Sequence, residues 1–159
     1  AHRHHGANWE IHFYGDALPE HAWLETKIKE LAADLPGRVK MHGYVSATDE
    51  MYQNMDVSVV PSVDPEEFSL VCAESQARGL PVVTTGPGGA SEVVVDGETG
   101  YVVPPDDAHA LAARLIEFEE APELRRQMGL AGHARMAERF SVARYGEQIG
   151  EHIDRLLEQ

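Results

Sequence analysis

The stretch at residues 56–85, DVSVVPSVDPEEFSLVCAESQARGLPVVTT, predicts a strand, a loop, a helix and a second strand. A short β-branched run at 57–60 stops at a proline, as expected of a buried parallel strand. The loop that follows is polar and acidic, and Ser69 is a suitable N-cap for a helix that begins near Phe68. Gly79 ends that helix, and a second β-branched run follows. Two parallel strands joined by a helix indicate a right-handed crossover of an α/β fold.

The helix in this stretch is predicted to bury an apolar face. Four of its residues are expected to contact the core: Leu70, Val71, Ala73 and Ala77. Cys72 lies on the same face and is interpreted as a buried structural thiol. Because Cys72 is the single cysteine, no disulfide forms within the chain, which suits a reducing cytoplasm.

Two glutamates flank the start of this helix, with seven residues between them. Glu66 lies on the loop at the carboxyl end of a strand, and Glu74 lies in the second helical turn. Between them, the backbone N–H groups of Phe68, Ser69 and Leu70 form a helix N-terminus, which attracts phosphate. Carboxylates accept hydrogen bonds from vicinal diols. The combination therefore predicts a ligand with both hydroxyls and phosphates, such as a nucleotide sugar.

A glycine cluster follows the second strand, in the segment TTGPGGAS at residues 84–91. Backbone N–H groups of such a cluster can hold phosphate when it lies between a strand and a helix. The segment is not a P-loop, since no Gly-Lys-Ser/Thr follows it. Gly88 and Gly89 are therefore added to the candidate site.

Strands and helices alternate along the rest of the chain. Before the central stretch we predict a strand at 9–14, a helix at 19–34, a strand at 38–42 and a short helix at 48–55. After it we predict a strand at 101–103 and three helices, which begin after Asp106 or Asp107, at Pro122 and after Ser141. The fold class is therefore α/β, a single Rossmann-like domain whose parallel sheet has helices on both faces. Ligands of such sheets bind at the carboxyl ends of the strands.

Charge and length exclude several functions. The net charge of −14 argues against nucleic acid or an anionic membrane as a partner. The sequence has no signal-peptide pattern and no apolar run near 18 residues, so neither a signal peptide nor a transmembrane segment is expected. The histidines at positions 2, 4 and 5 lack the spacing of metal ligands, and no Asp-x-Asp motif occurs, so no metal is expected. Residues 1–10 are interpreted as a frayed helix end or vector-derived residues.

Several of these segments together resemble one family. Residues 66–83 resemble the E-x7-E signature of family-four (group 1) retaining glycosyltransferases with the GT-B fold. Residues 88–94 and 96–104 resemble the GG-x-x-E and DG-x-x-G blocks of the same family. Glu67 and Ser69 stand where the family usually has glycine. The resemblance covers the chain from about residue 11 onward.

The resemblance implies roles for the candidate residues. Glu66, the catalytic residue, binds hydroxyls of the donor sugar, and Glu74 binds the ribose diol. The groups expected to bind the donor phosphates are at Phe68, Ser69, Leu70, Gly88 and Gly89. Tyr44 and Val45 lie beside the base, although packing of the tyrosine against the next helix is an equal alternative.

The resemblance also implies that the chain is the C-terminal, donor-binding half of a GT-B enzyme. Residues 11–140 form the nucleotide-sugar-binding domain, and the helix at 141–159 packs toward an absent N-terminal domain that carries the acceptor site. Without that partner, the apolar stripe of the helix is expected to be exposed: Tyr145, Ile149, Ile153, Leu156 and Leu157. We expect a cytoplasmic protein, and the absent domain is the part that would associate with a membrane.

The predicted function is transfer of a hexosyl group from a UDP-, GDP- or ADP-linked sugar to an acceptor hydroxyl, without a cofactor. The family's Arg and Lys from an earlier block are missing here, so this chain alone is expected to be inactive. Three alternatives stay open. They are a standalone nucleotide-sugar-binding module or subunit of a split enzyme, a GT-B-type sugar-nucleotide 2-epimerase fragment, and a glycosidase that uses the glutamate pair.

Overall fold

The computed structural model describes residues 9–46, 49–65, 67–86 and 88–158. The chain divides into two compact units, Ala1–Asp49 and Glu50–Gln159. Both consist of parallel strands and helices, which confirms the predicted α/β, Rossmann-like class. The histidines at positions 2, 4 and 5 lie outside the described residues, so their interpretation stays a prediction.

The first unit is a small strand–helix–strand arrangement. Its elements are β1 (Ile11–Phe13), a 3-10 turn (Pro19–His21), α1 (Trp23–Ala32) and β2 (Val39–Met41). The two strands are parallel, with Ile11 opposite Val39. The α-helix begins four residues after the predicted start, because Pro19 opens a 3-10 turn instead.

The second unit contains residues 56–85, the stretch predicted to form a strand, a loop, a helix and a second strand. Its elements, from the boundary helix onward, are α2 (Asp49–Gln53), β3 (Ser58–Val60), α3 (Leu70–Ala77), β4 (Val82–Thr85), α4 (Ala90–Val93), β5 (Gly100–Val103), α5 (Ala108–Glu120), α6 (Pro122–Arg139) and α7 (Val142–Leu157). The strands form a parallel sheet in the order β3–β4–β5. The predicted strand–helix–strand unit is therefore confirmed.

The core lies on both faces of β4, whose four residues are all buried. On one face Val82 packs in a cluster with Cys72, Val93 and Met136, from α3, α4 and α6. On the other face Val83 packs in a cluster with Tyr101, Phe118 and Met128. Helices therefore cover both faces of this sheet, as the sequence predicts.

The predicted buried face of α3 is wrong for three of its four apolar residues, while Ala73 packs against the core as predicted. Leu70 is 66% exposed and Val71 50% exposed, and Ala77 is also exposed, while Ala73 is half-buried. The helix instead buries Cys72, as predicted, with two polar neighbours, Ser75 and Gln76.

These two polar side chains tolerate burial because each forms a hydrogen bond within the core. The Ser75 hydroxyl donates to the Ser58 hydroxyl at 2.9 Å, and the Gln76 amide donates to the Thr99 hydroxyl at 2.8 Å. A buried polar group with a partner carries a much smaller penalty than an unpaired one. The pattern of apolar residues alone therefore does not predict which face of α3 packs against the core.

The predicted helix ends agree with the structure. Gly79 follows α3 with a φ of 78°, and its N–H donates to Gln76 while the N–H of Leu80 donates to Ser75. This pair of bonds is a Schellman motif, which satisfies the last carbonyls of the helix. Asp107 caps α5 by accepting from the backbone of Ala110 at 2.9 Å, and α6 begins at a proline.

The last helix, α7, presents the predicted exposed apolar stripe. Ser141 caps it, and none of its described residues is buried. The exposed apolar side chains are Val142, Tyr145, Ile149, Ile153, Leu156 and Leu157. Among the described residues, no helix is both long enough and apolar enough to cross a membrane.

Tyr101 predicts a loss of stability at alkaline pH. Burial, and then the hydrogen bond to Glu117, raise the pKa of Tyr101 to about 12, whereas an unfolded tyrosine titrates near 10. Because the folded-state pKa is the higher one, stability falls as pH rises from 10 to 12. We expect the free energy of unfolding to drop by about 1 kcal/mol from this group between pH 9 and 11. Urea unfolding at the two pH values measures this drop. The drop should be smaller in Tyr101→Phe, and an equal drop in that variant would contradict the prediction.

Candidate functional site

The start of α3 forms one part of the candidate site. Ser69 occupies the N-cap position in an extended conformation, and the first helical hydrogen bond runs from Ala73 to the Ser69 carbonyl at 3.0 Å. The Ser69 side chain makes no capping hydrogen bond, so it does not itself satisfy the first N–H groups of the helix. Phe68 and Leu70 on either side are exposed. Ser69 itself is buried, so the exposed part of this helix end consists of the flanking residues Phe68 and Leu70.

The glycine loop lies directly against this helix start. Gly89 precedes α4, and its Cα faces the Glu67 carbonyl group and the Phe68 Cα so closely that a Cβ would collide with both. Gly88 has a φ of 123°, a conformation that favours glycine. The two loops predicted to hold phosphate thus contact each other through their backbones. Glu66 and Pro87 lie outside the described residues, so the role of Glu66 stays a prediction.

Glu74 lies one turn further along α3 and is half-buried. Its Oε2 accepts a hydrogen bond of 2.9 Å from the hydroxyl of Tyr52 in α2. Arg78 lies over the Tyr52 ring, 4.4 Å from its centroid, and donates to the Glu74 carbonyl at 3.1 Å. From the sequence alone, Tyr52 is predicted only as part of the apolar side of the short helix at 48–55, together with Met51 and Met55. A buried tyrosine usually needs a partner for its hydroxyl, and that was the available signal.

Arg135 holds the far end of the short helix α4. From α6, its guanidinium donates to the carbonyls of Glu92 at 2.7 Å and Val93 at 3.0 Å. A cation at the C-terminus of a helix pairs with carbonyls that lack a helical partner. The contact fixes the helix that carries Gly89 at its start, and sequence reasoning missed it because the partners are more than 40 residues apart.

The first unit has a contact between its own two strand ends. The N–H of Gly15, after β1, donates to the carbonyl of Gly43, after β2, at 2.7 Å. Next to it, Tyr44 is 78% exposed and Val45 is 37% exposed. Packing of Tyr44 against the next helix stays a prediction, and so does its place beside a base.

The described residues contain no cluster of three or more His, Cys, Asp or Glu side chains that could hold a metal ion. The second unit combines a helix N-terminus flanked by exposed residues, a glycine loop in backbone contact with it, and a carboxylate held by a buried tyrosine. Such an arrangement can bind an anion through backbone donors and a hydroxyl through the carboxylate.

Residues 3–135 match the family described as Glycosyl transferases group 1. The chain belongs to this family. This group 1 glycosyltransferase chain is 34% identical to the capsular polysaccharide biosynthesis glycosyltransferase CapM of Staphylococcus aureus over 116 residues, 73% of the chain and 30% of CapM. It is 30% identical to the mouse alpha-1,3/1,6-mannosyltransferase ALG2 over 149 residues, 91% of the chain and 35% of ALG2.

The solved structure of Anabaena Alr3699/HepE in complex with UDP has a similar fold. The TM-score is 0.86 at 26% sequence identity, and the match covers 92% of the chain and 41% of HepE. The group 1 glycosyltransferase chain thus has the Rossmann-like architecture of GT-B glycosyltransferases, as predicted. It spans only about a third of the curated relatives' length.

Proposed function

We propose that this chain is the donor-binding part of a retaining glycosyltransferase. It binds a nucleoside-diphosphate sugar, whose hexosyl group passes to an acceptor hydroxyl. The observation that carries the proposal is the contact of Gly89 with residues 67 and 68. That contact joins the N-terminus of α3 and the glycine loop into one surface, with Glu74 on the next turn of the helix. The presence of UDP in the HepE structure supports a nucleotide ligand.

The phosphates of the donor are the proposed ligand of the backbone. The groups that would bind them are the N–H groups at Phe68, Ser69, Leu70, Gly88 and Gly89. Helix N-termini and glycine-rich turns bind phosphate without a positively charged side chain. Backbone donors are therefore a way for a chain of net charge −14 to hold a diphosphate.

The two glutamates are the proposed ligands of hydroxyl groups. Glu66 would accept hydrogen bonds from the donor sugar, and Glu74 from the ribose diol, since ionised carboxylates are strong acceptors. Tyr44 and Val45 of the first unit would lie beside the base. Membership of a transferase family favours this interpretation over the glycosidase and the epimerase.

Transfer itself needs more than this chain offers. As the glycosidic bond breaks, negative charge develops on the leaving diphosphate and must be stabilised. We infer that the rest of a longer enzyme supplies the acceptor site and further donors for that charge, because the chain covers 30% to 41% of the relatives and the structure compared above. The chain alone is therefore expected to bind donor without transferring sugar.

A titration of the chain with UDP, GDP and ADP, monitored by protein NMR, tests the proposal. NMR detects weak binding, and the shifted amides identify the site. We expect one base to be preferred, with shifts at Phe68–Leu70 and in the glycine loop. Absence of binding to all three nucleotides would contradict the proposed function.

Glu74→Gln is the variant that tests the ribose contact. It removes the ionised acceptor and keeps the shape of the side chain, so donor binding is expected to weaken by about 1–3 kcal/mol. Glu120→Gln is the matched control, because it removes the same charge from an exposed position at the end of α5. Unchanged nucleotide affinity in a folded Glu74→Gln protein would remove Glu74 from the site.

A further inference from the structure

Tyr52 contributes a hydrogen bond to Glu74 that the proposed function does not yet use. Its side chain is only 4% exposed, and its hydroxyl donates to Glu74 Oε2 at 2.9 Å. Among the described residues, it is the one hydrogen-bond donor that contacts this carboxylate. A buried phenol and a half-buried carboxylate thus meet at the edge of the candidate site.

The direction of this hydrogen bond is fixed. Burial, and then the hydrogen bond to Glu74, raise the pKa of Tyr52 to about 12. The phenol therefore keeps its proton throughout the physiological pH range. Tyr52 is therefore the donor of this hydrogen bond, and Glu74 Oε2 is the acceptor.

A third residue restrains the same pair. Arg78 covers the Tyr52 ring at 4.4 Å and donates to the backbone carbonyl of Glu74 at 3.1 Å. A guanidinium over an aromatic face is attracted by the ring and limits its motion. Arg78 therefore restrains both the Tyr52 ring and the helical turn that carries Glu74.

We propose that Tyr52 is a positioning residue that holds Glu74 Oε2, so that Oε1 accepts hydrogen bonds from the ribose 2′,3′-diol of the nucleotide. The inference rests on the proposed function and deepens it. A carboxylate fixed in advance loses less rotamer entropy when the ligand binds. Tyr52 thereby helps the site select ribonucleotides over nucleotides that lack the two hydroxyls.

The chain contains a matched control for this pair. Tyr101 of β5 is also buried, its hydroxyl donates to Glu117 Oε1 at 2.8 Å, and Arg114 lies 4.4 Å from its ring centroid. This second pair joins β5 to α5 and includes none of the candidate site residues. Tyr101→Phe therefore removes the same kind of hydrogen bond without touching Glu74.

The experiment compares Tyr52→Phe, Tyr101→Phe and the unaltered chain. Each is titrated with UDP and with 2′,3′-dideoxyuridine diphosphate, or with the GDP or ADP pair if that base is preferred, and thermal unfolding verifies folding. We expect Tyr52→Phe to weaken UDP binding about tenfold, as for loss of a hydrogen bond to a charged group. Binding of the dideoxy nucleotide should change less than about twofold. Tyr101→Phe should leave both affinities unchanged.

Two results for Tyr52→Phe overturn the inference while the proposed function stands. One is a folded Tyr52→Phe protein with normal UDP affinity. The other is an equal loss for UDP and the dideoxy nucleotide, which indicates a general structural role. If the unaltered chain binds UDP and its dideoxy analogue equally, Glu74 does not bind the diol and the inference is wrong. If it binds no nucleotide, the proposed function fails, and this inference fails with it.

Discussion

Gly129→Ala is expected to lower the free energy of unfolding by about 2 kcal/mol, although alanine is the better helix former. Gly129 lies in α6, where a Cβ would collide with the carbonyl oxygen of Gly79 and lie 3.3 Å from Pro81 Cδ. The obstacle is backbone at the C-terminal end of α3, so it cannot move aside as a side chain can. Overpacking of this kind costs about 3 kcal/mol, and helix propensity returns about 1 kcal/mol of it.

Gly146→Ala is the control, because it makes the same chemical change in another helix. A Cβ at Gly146 of α7 meets nothing within 4 Å, so only the propensity gain remains and stability should rise by about 0.5–1 kcal/mol. Urea unfolding of the three proteins measures both effects. Equal changes in the free energy of unfolding of the two variants would mean that α6 does not approach α3 through Gly129.

The local order of elements was predictable because its signals are local. The β-branched runs at 57–60 and 82–83 became β3 and β4, and Gly79 ends the helix between them as a C-terminal glycine should. The predicted helix caps at Asp107 and Ser141 are also confirmed. Each capping side chain accepts a hydrogen bond from the backbone N–H three residues later, so the signal is local.

The buried face of α3 was not predictable from apolar spacing. It depends on Ser75 and Gln76 finding hydrogen-bond partners 17 and 23 residues away. The approach of Gly129 to Gly79 is a contact of the same long-range kind. The residues near them in sequence do not indicate these contact partners, because the packing of other elements brings the partners together.

Part of the candidate site followed from topology. β3 and β4 are parallel neighbours, so the segments after them emerge at the same edge of the sheet. This rule places the Glu67 loop and the glycine loop together, and the structure confirms their contact. The rule does not extend to Tyr52, which reaches Glu74 from the helix before β3 and looked like an ordinary core residue.

Gly89→Ala is expected to weaken nucleotide binding at least tenfold and to lower the free energy of unfolding by about 1–3 kcal/mol. A Cβ at Gly89 collides with the Glu67 carbonyl and the Phe68 Cα, so one of the two loops must move. Either movement separates the N-terminus of α3 from the glycine loop. A diphosphate that spans both sets of N–H groups then loses part of its contacts, since hydrogen bonds weaken steeply with poor geometry.

Gly86→Ala separates this effect from a general disturbance of the loop. A Cβ at Gly86 lies 3.1 Å from Val102 Cγ1, a side-chain methyl group that can rotate away, so affinity should change less than about twofold. Amide NMR spectra of both variants report the geometry directly. In Gly89→Ala the signals of Glu67 and Phe68 should move, whereas in Gly86→Ala they should stay close to those of the unaltered chain. If Gly89→Ala keeps both these signals and the nucleotide affinity, the two loops do not act as one phosphate site, and the contact that carries the proposed function has no part in binding.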